Sequence, residues 1–159
     1  MEKLLIIPYT VFNNNWDLLQ QFLKRKGNPR YELIGDVDLR WREDIIDLGN
    51  LIRVDGILDL YSSAIESLGK LQYVGSNLNL TDSSIESLGS LEYVGGHLVL
   101  PYTSIKELGN LKYVGHTLNL SSSLIQSLGN LEYVGEEIWL SRYHQIPNEQ
   151  LTKFKIKYY

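Results

Sequence analysis

Set in rows of twenty from Leu51, the chain places its apolar residues in columns. Leu51, Leu71, Leu91, Leu111 and Leu131 fill the first position, and Val54, Val74, Val94, Val114 and Val134 the fourth. Leu58, Leu78, Leu98, Leu118 and Ile138 fill the eighth, and Leu60, Leu80, Leu100, Leu120 and Leu140 the tenth. Ile65, Ile85, Ile105 and Ile125 stand at the fifteenth, and Leu68, Leu88, Leu108 and Leu128, each followed by glycine, at the eighteenth. A weaker row covers 31–50, where Ile45, Leu48 and Gly49 keep register but Val37 and Leu39 sit one place early. Self-similarity at a period near twenty predicts a solenoid, one coil per row. The alternation around positions 8 and 10 predicts a short strand in each coil, stacked in parallel on its neighbours. The remainder of each row is too short and glycine-rich for a helix. It predicts either tight 3₁₀-like turns or a second, ragged strand.

The solenoid needs covered ends. At the front, "NNNWDLLQQFLKRKG" predicts a helix capped by Asn13–Asn15 and stopped at Gly27. Its Trp16, Leu19, Phe22 and Leu23 share one face. At the back, Phe154, Ile156, Tyr158 and Tyr159 alternate in a tail that breaks the period, which predicts a final strand over the last edge. The chain divides into an N-terminal cap at 1–30, a solenoid at 31–140 and a C-terminal cap at 141–159.

The motif L-x-L-x-x-[ST]-x-I-x-x-L-G, carried by Leu78, Leu80, Ser83 and Ile85 and again by Leu98, Leu100, Thr103 and Ile105, resembles the leucine-rich repeat. Two departures stand out. Ser63, Ser83, Thr103 and Ser123 hold the family's Asn position, and Gly75, Gly95 and Gly115 replace its first Leu. A hydroxyl can still bond the turn backbone there. The "LxYVGxxLxL" half is also similar to the repeats of receptor L domains, though without their disulfides. The nearest likeness is to short cysteine-free repeat proteins of bacteria and bacteriophages. The resemblance implies a right-handed coil of about six turns with one parallel sheet, used for non-catalytic protein recognition.

Composition narrows the function further. The chain has 43% hydrophobic and 21% charged residues, the balance of a folded soluble domain and not of a disordered one. No apolar run approaches membrane-spanning length, and Pro8 interrupts the apolar N-terminal stretch, so neither a membrane segment nor a secretory signal is expected. The absence of cysteine removes thiol chemistry and agrees with a cytoplasmic setting. A net charge of −4 disfavours nucleic acid. Residues 31–140 carry six basic against sixteen acidic groups, while both ends are net basic. That distribution is either a solvated surface or an acidic face that prefers a basic partner.

Candidate chemistry is sparse. His97 and His116 fall close together in adjacent rows, but no carboxylate stands at a ligand-like spacing, and His144 is alone. Asp36, Asp38, Asp55 and Asp59 cluster without a calcium-binding pattern and read as surface carboxylates. No catalytic residue, metal or cofactor is predicted. Tyr73, Tyr93, Tyr113 and Tyr133 share the third position and predict a stacked column with Arg53 at its end; an aromatic strip for a sugar or partner is the other reading.

A protein-binding face is expected from Trp139, Arg142, Tyr143, Asn119, Val99, His97 and Tyr102. Trp139 carries two readings, an open hot spot or a ring covered by the C-terminal tail. A structural or assembly component and a glycan-binding or glycan-acting protein are the alternative functions.

Overall fold

A computed structural model describes residues 4–159. Strand β1 (Leu5–Pro8) leads through a 3₁₀ turn (Tyr9–Phe12) to helix α1 (Trp16–Arg25). Then come β2 (Tyr31–Ile34), β3 (Val37–Asp38), β4 (Leu51–Val54) and β5 (Leu58–Asp59). Each later coil repeats a pair of two-residue strands: β6 (Tyr73–Val74) and β7 (Leu78–Asn79), β8 (Tyr93–Val94) and β9 (Leu98–Val99), β10 (Tyr113–Val114) and β11 (Leu118–Asn119). Strands β12 (Tyr133–Val134) and β13 (Ile138–Leu140), helix α2 (Asn148–Leu151) and β14 (Ile156–Tyr158) complete the chain.

The fold is a β-solenoid of about six turns. Its strands form two parallel sheets, not one: the first runs β1-β2-β4-β6-β8-β10-β12, the second β14-β13-β11-β9-β7-β5-β3. Of the two conformations left open for the rest of each row, the ragged strand is the one adopted. The Tyr-Val pair at each coil's third and fourth positions forms it, with Val inward and Tyr outward. A third side carries single bridges, Asp47 to Ser67, Ser67 to Ser87 and Glu107 to Ser127. All three sides send aliphatic groups inward, and Val54, Leu58, Leu60, Ile65, Leu68 and Leu71 are fully buried.

Local chemistry explains the repeat. Ser63, Ser83, Thr103 and Ser123 each donate a hydroxyl to the carbonyl three residues back, at 2.7 Å. This gives each hydroxyl a partner inside the turn, and at Ser63, Ser83 and Ser123 it reinforces the main-chain N–H bond to the same carbonyl. The corner glycines allow close stacking: a Cβ on Gly115 would overlap the Gly95 carbonyl. The misplaced first row is absorbed at Ile52, where the β2–β4 register slips by one and Ile52 is the extra, buried residue.

The ends are closed differently. Asn15 caps α1 by accepting from the Leu18 N–H at 3.1 Å, and the N–H of Asn28 returns to the Leu23 carbonyl beyond Gly27. Trp16, Leu19 and Leu23 are buried over the first coil, while Phe22 is half-buried against Phe12. At the other end β14 pairs with β13, bringing Ile156, Lys157 and Tyr158 beside Ile138, Trp139 and Leu140. Residues 1–3, which belong to the predicted N-terminal cap, lie outside the described residues.

Candidate recognition surface

The outward column of the second sheet is built from Asp38, Asp59, Asn79, Val99, Asn119, Trp139 and Lys157, each opposite the next. Its polar members serve the backbone. Asp38, Asp59, Asn79 and Asn119 each accept from the main-chain N–H two residues ahead, at 3.0–3.1 Å. Val99 has no acceptor to offer. Two residues on stands Pro101, which has no N–H to donate. Asn119 Oδ1 also takes the Ser121 hydroxyl at 2.6 Å, so its carbonyl oxygen is engaged within the fold.

The acidic cluster of the first coils is likewise engaged. Asp36 Oδ1 accepts the Ile57 N–H at 2.8 Å and Asp55 Oδ1 the Gly35 N–H at 2.7 Å. Asp38 is paired with Arg40, which holds its carboxyl below the usual range. Among the described residues, no three His, Asp or Glu side chains are placed to hold a metal ion.

Trp139 lies against the tail. Its ring centroid is 5.3 Å from that of Tyr159, and Lys157 Nζ stands 4.9 Å above the indole. The indole N–H donates to Glu137 Oε2 at 3.3 Å, and Lys155 Nζ holds Glu137 Oε1 at 2.8 Å. Hydrogen bonding to Lys155, then to the indole, keeps the Glu137 carboxyl below its ordinary range. The tail therefore covers part of Trp139 and leaves it half-buried.

The other expected residues are spread more widely. The structure brings Val99, Asn119 and Trp139 into one column. His97 sits at the corner before the sheet, its ring 5.1 Å from that of His116 and its Nδ1 accepting from the Thr117 N–H at 3.2 Å. His116 Nδ1 is 3.0 Å from Glu136 Oε1, and Thr117 Oγ1 donates to Glu136 Oε2 at 2.7 Å. These contacts, His116 foremost, hold the Glu136 carboxyl below its ordinary range. Tyr102 occupies the opposite corner with φ +58° and is largely exposed. The main-chain N–H of Arg142 donates to the Tyr159 carbonyl at 3.3 Å, and Tyr143 is 92% exposed beyond it.

A depression lies on the third side, which sequence reasoning did not single out. Its ladder is interrupted between Ser87 and Glu107 while the flanking bridges are made. Glu86 and Ser87 N–H groups both donate to the Glu66 carbonyl, and those of Gln126 and Ser127 to that of Lys106. The corresponding bonds from Lys106 and Glu107 to the Glu86 carbonyl are not formed. The tract instead leans toward the following coil, with the N–H of Leu108 donating to the Ser127 carbonyl. The preceding turn already shows the displacement: Tyr102 N–H reaches the Ser122 carbonyl, one residue past the equivalents used by Ser62 and Asp82. A depression of about 770 Å³ opens there, lined by Glu86, Ser104, Lys106, Leu124, Gln126 and Ser127. A neighbouring hollow of about 320 Å³ shares Lys106, Leu124 and Gln126 and continues to Tyr143 and His144. Leu124 is 59% exposed beside it. Exposed apolar groups, unpaired backbone and both charge signs together suit an extended polypeptide.

The fold and these faces define a repeat β-solenoid. Comparison with protein-family models, with curated proteins and with solved structures finds no match in any of the three. No described helix is long and apolar enough to cross a membrane.

Proposed function

We propose that this chain is a non-catalytic recognition module of leucine-rich-repeat type, which binds a protein partner along the third side of the solenoid. One observation carries the reading: the ladder that closes this side is interrupted at a single coil junction, leaving a hollow flanked by exposed Leu124 and Tyr143. A purely structural ladder gains nothing from such a gap, because the coil-to-coil hydrogen bonds made at the flanking junctions are forgone there. The acidic character of residues 31–140 favours a partner with a basic surface. We place the protein in the cytoplasm of a bacterium or of a phage-infected cell, on the likeness to cysteine-free bacterial and phage repeats.

The test is affinity capture with the wild-type chain and with Leu124→Glu, whose exposed position tolerates the charge. The expected result is one stoichiometric protein retained by the wild type and reduced at least tenfold with the variant. Equal recovery by both would remove the hollow from the function. Self-assembly on gel filtration without any captured protein would favour an assembly role.

A further inference from the structure

We propose that the free edge of the first sheet, β12, is a docking site for an extended protein segment carrying arginine. The segment adds as a further parallel strand and stacks its guanidinium on the open face of Tyr133. This site is separate from the third-side hollow.

The outward column of the first sheet runs Ile6, Glu32, Arg53, Tyr73, Tyr93, Tyr113, Tyr133. The four tyrosine rings stack face to face, with centroids 4.5, 4.6 and 4.8 Å apart and planes within 10°. That spacing equals the distance between neighbouring strands, so any strand added in register delivers its side chain onto the next ring. One end of the stack is already closed: the guanidinium carbon of Arg53 lies 3.6 Å from the Tyr73 centroid. The other end, Tyr133, is 48% exposed. The protein itself thus shows which group a terminal tyrosine of this stack accepts.

Three further observations mark this edge as unfinished. The C-terminal tail supplies a strand to the second sheet only, and β12 is the last strand of the first. In the coil before, the Lys112 carbonyl accepts from Glu132 and Tyr133, and the Val114 carbonyl from Gly135. The carbonyls of Glu132 and Val134, equivalent to these in the last coil, receive no main-chain donor among the described residues. The inward valine tells the same story. Val54, Val74, Val94 and Val114 are wholly buried, whereas Val134 is only partly so.

Charge selects the occupant. Lys112 Nζ lies 2.8 Å from Glu92 Oε2 of the preceding coil. Glu132 holds the position equivalent to Glu92 on the last coil and makes no ion pair among the described residues. A segment reading Lys-Arg-Val would therefore place lysine on Glu132, arginine on Tyr133 and valine over Val134. A second copy of this chain is a poorer occupant, since its free edge β1 presents Ile6 at the stacking position.

The probe is a blocked heptapeptide with the sequence of residues 109–115 carrying Tyr113→Arg (GNLKRVG), titrated into the intact protein with the tyrosine rings followed by NMR. Saturable binding is expected, with the Tyr133 ring signals shifted most. The same peptide with alanine in place of arginine should bind at least fivefold more weakly. Tyr133→Ala should abolish binding, and Glu132→Lys, at an exposed position, should weaken it at least threefold with the stack intact. Leu124→Glu should leave it unchanged, which separates this site from the hollow. Equal affinity for the arginine and alanine peptides, no saturation at millimolar peptide, or a shift confined to other tyrosines would each overturn the proposal. Concentration-dependent self-association that hides Tyr133 would do the same.

Discussion

Two glycines in equivalent turns give a direct measure of the third-side gap. Gly109 and Gly129 have the same φ, +56°. A Cβ built on Gly109 meets nothing within 4 Å, while one on Gly129 lies 2.7 Å from the Gly109 carbonyl oxygen and 2.9 Å from its nitrogen. Alanine at either site pays the left-handed conformation, about 1–2 kcal/mol. The reduced freedom of the unfolded chain returns about 0.4–1 kcal/mol. Gly109→Ala should thus destabilise by on the order of 1 kcal/mol. Gly129→Ala adds a backbone clash, and overpacking of that kind costs about 1–3 kcal/mol. The difference between the variants, roughly 1–3 kcal/mol on the same basis, reports the space above Gly109 alone, because the conformational contribution is common to both. Equilibrium urea unfolding measures each midpoint, with an unchanged slope confirming that the folded state is compared with the same unfolded state. Equal losses within about 0.5 kcal/mol would mean that the coils are closed at this junction, and the hollow proposed for recognition would not exist.

Other consequences are equally direct. Tyr93→Ala removes a ring stacked on two neighbours and should lower stability by about 1–3 kcal/mol, against about half that for Tyr133→Ala with its single neighbour; a calorimetric comparison showing equal losses would refute stacking as the source. Removal of Gly69–Leu88 joins equivalent positions and should leave a folded chain one coil shorter by circular dichroism, whereas removal of ten residues there should not fold. Arg42 bonds both Asp44 and Asp17 and holds the Asp44 carboxyl at about 2 against an ordinary 3.8. That contribution is present above pH 3.8 and is lost as the pH falls toward 2. The fall in melting temperature across this window should be shallower in Arg42→Gln.

The columns at twenty-residue spacing were enough to read the solenoid, the tyrosine stack and the capping helix, because each depends on periodic or local signals. The first sheet was harder to read. From β6 onward its strands are two residues long, Tyr-Val followed by glycine, and two residues cannot display an alternation. The tail's alternation announced a strand but not which sheet it would join. The returning chain meets the third side, where Gln150 Oε1 accepts the Leu128 N–H at 2.8 Å, a contact that carries no periodic signal. The ladder gap left no mark either, since "IESLG" and "IKELG" stand on its two sides and differ only at exposed positions. Trp139 was visible as a large aromatic on a polar face, but whether the tail met it depended on the Ile138–Ile156 register.

The missing partnership at Val99 and Pro101 has a consequence for how this face can change. At Asp38, Asp59, Asn79 and Asn119 an amide or carboxylate serves the N–H two residues ahead; at Val99 both halves of the exchange are gone together. Pro101→Thr alone restores a donor at a buried position facing a valine that cannot accept. Val99→Asn alone restores an acceptor with nothing to receive. The double change rebuilds the bond found one coil away on either side, so its effect on stability should exceed the sum of the two single effects. On this strip of the surface the two positions act as a pair, since neither single change supplies both halves of the bond.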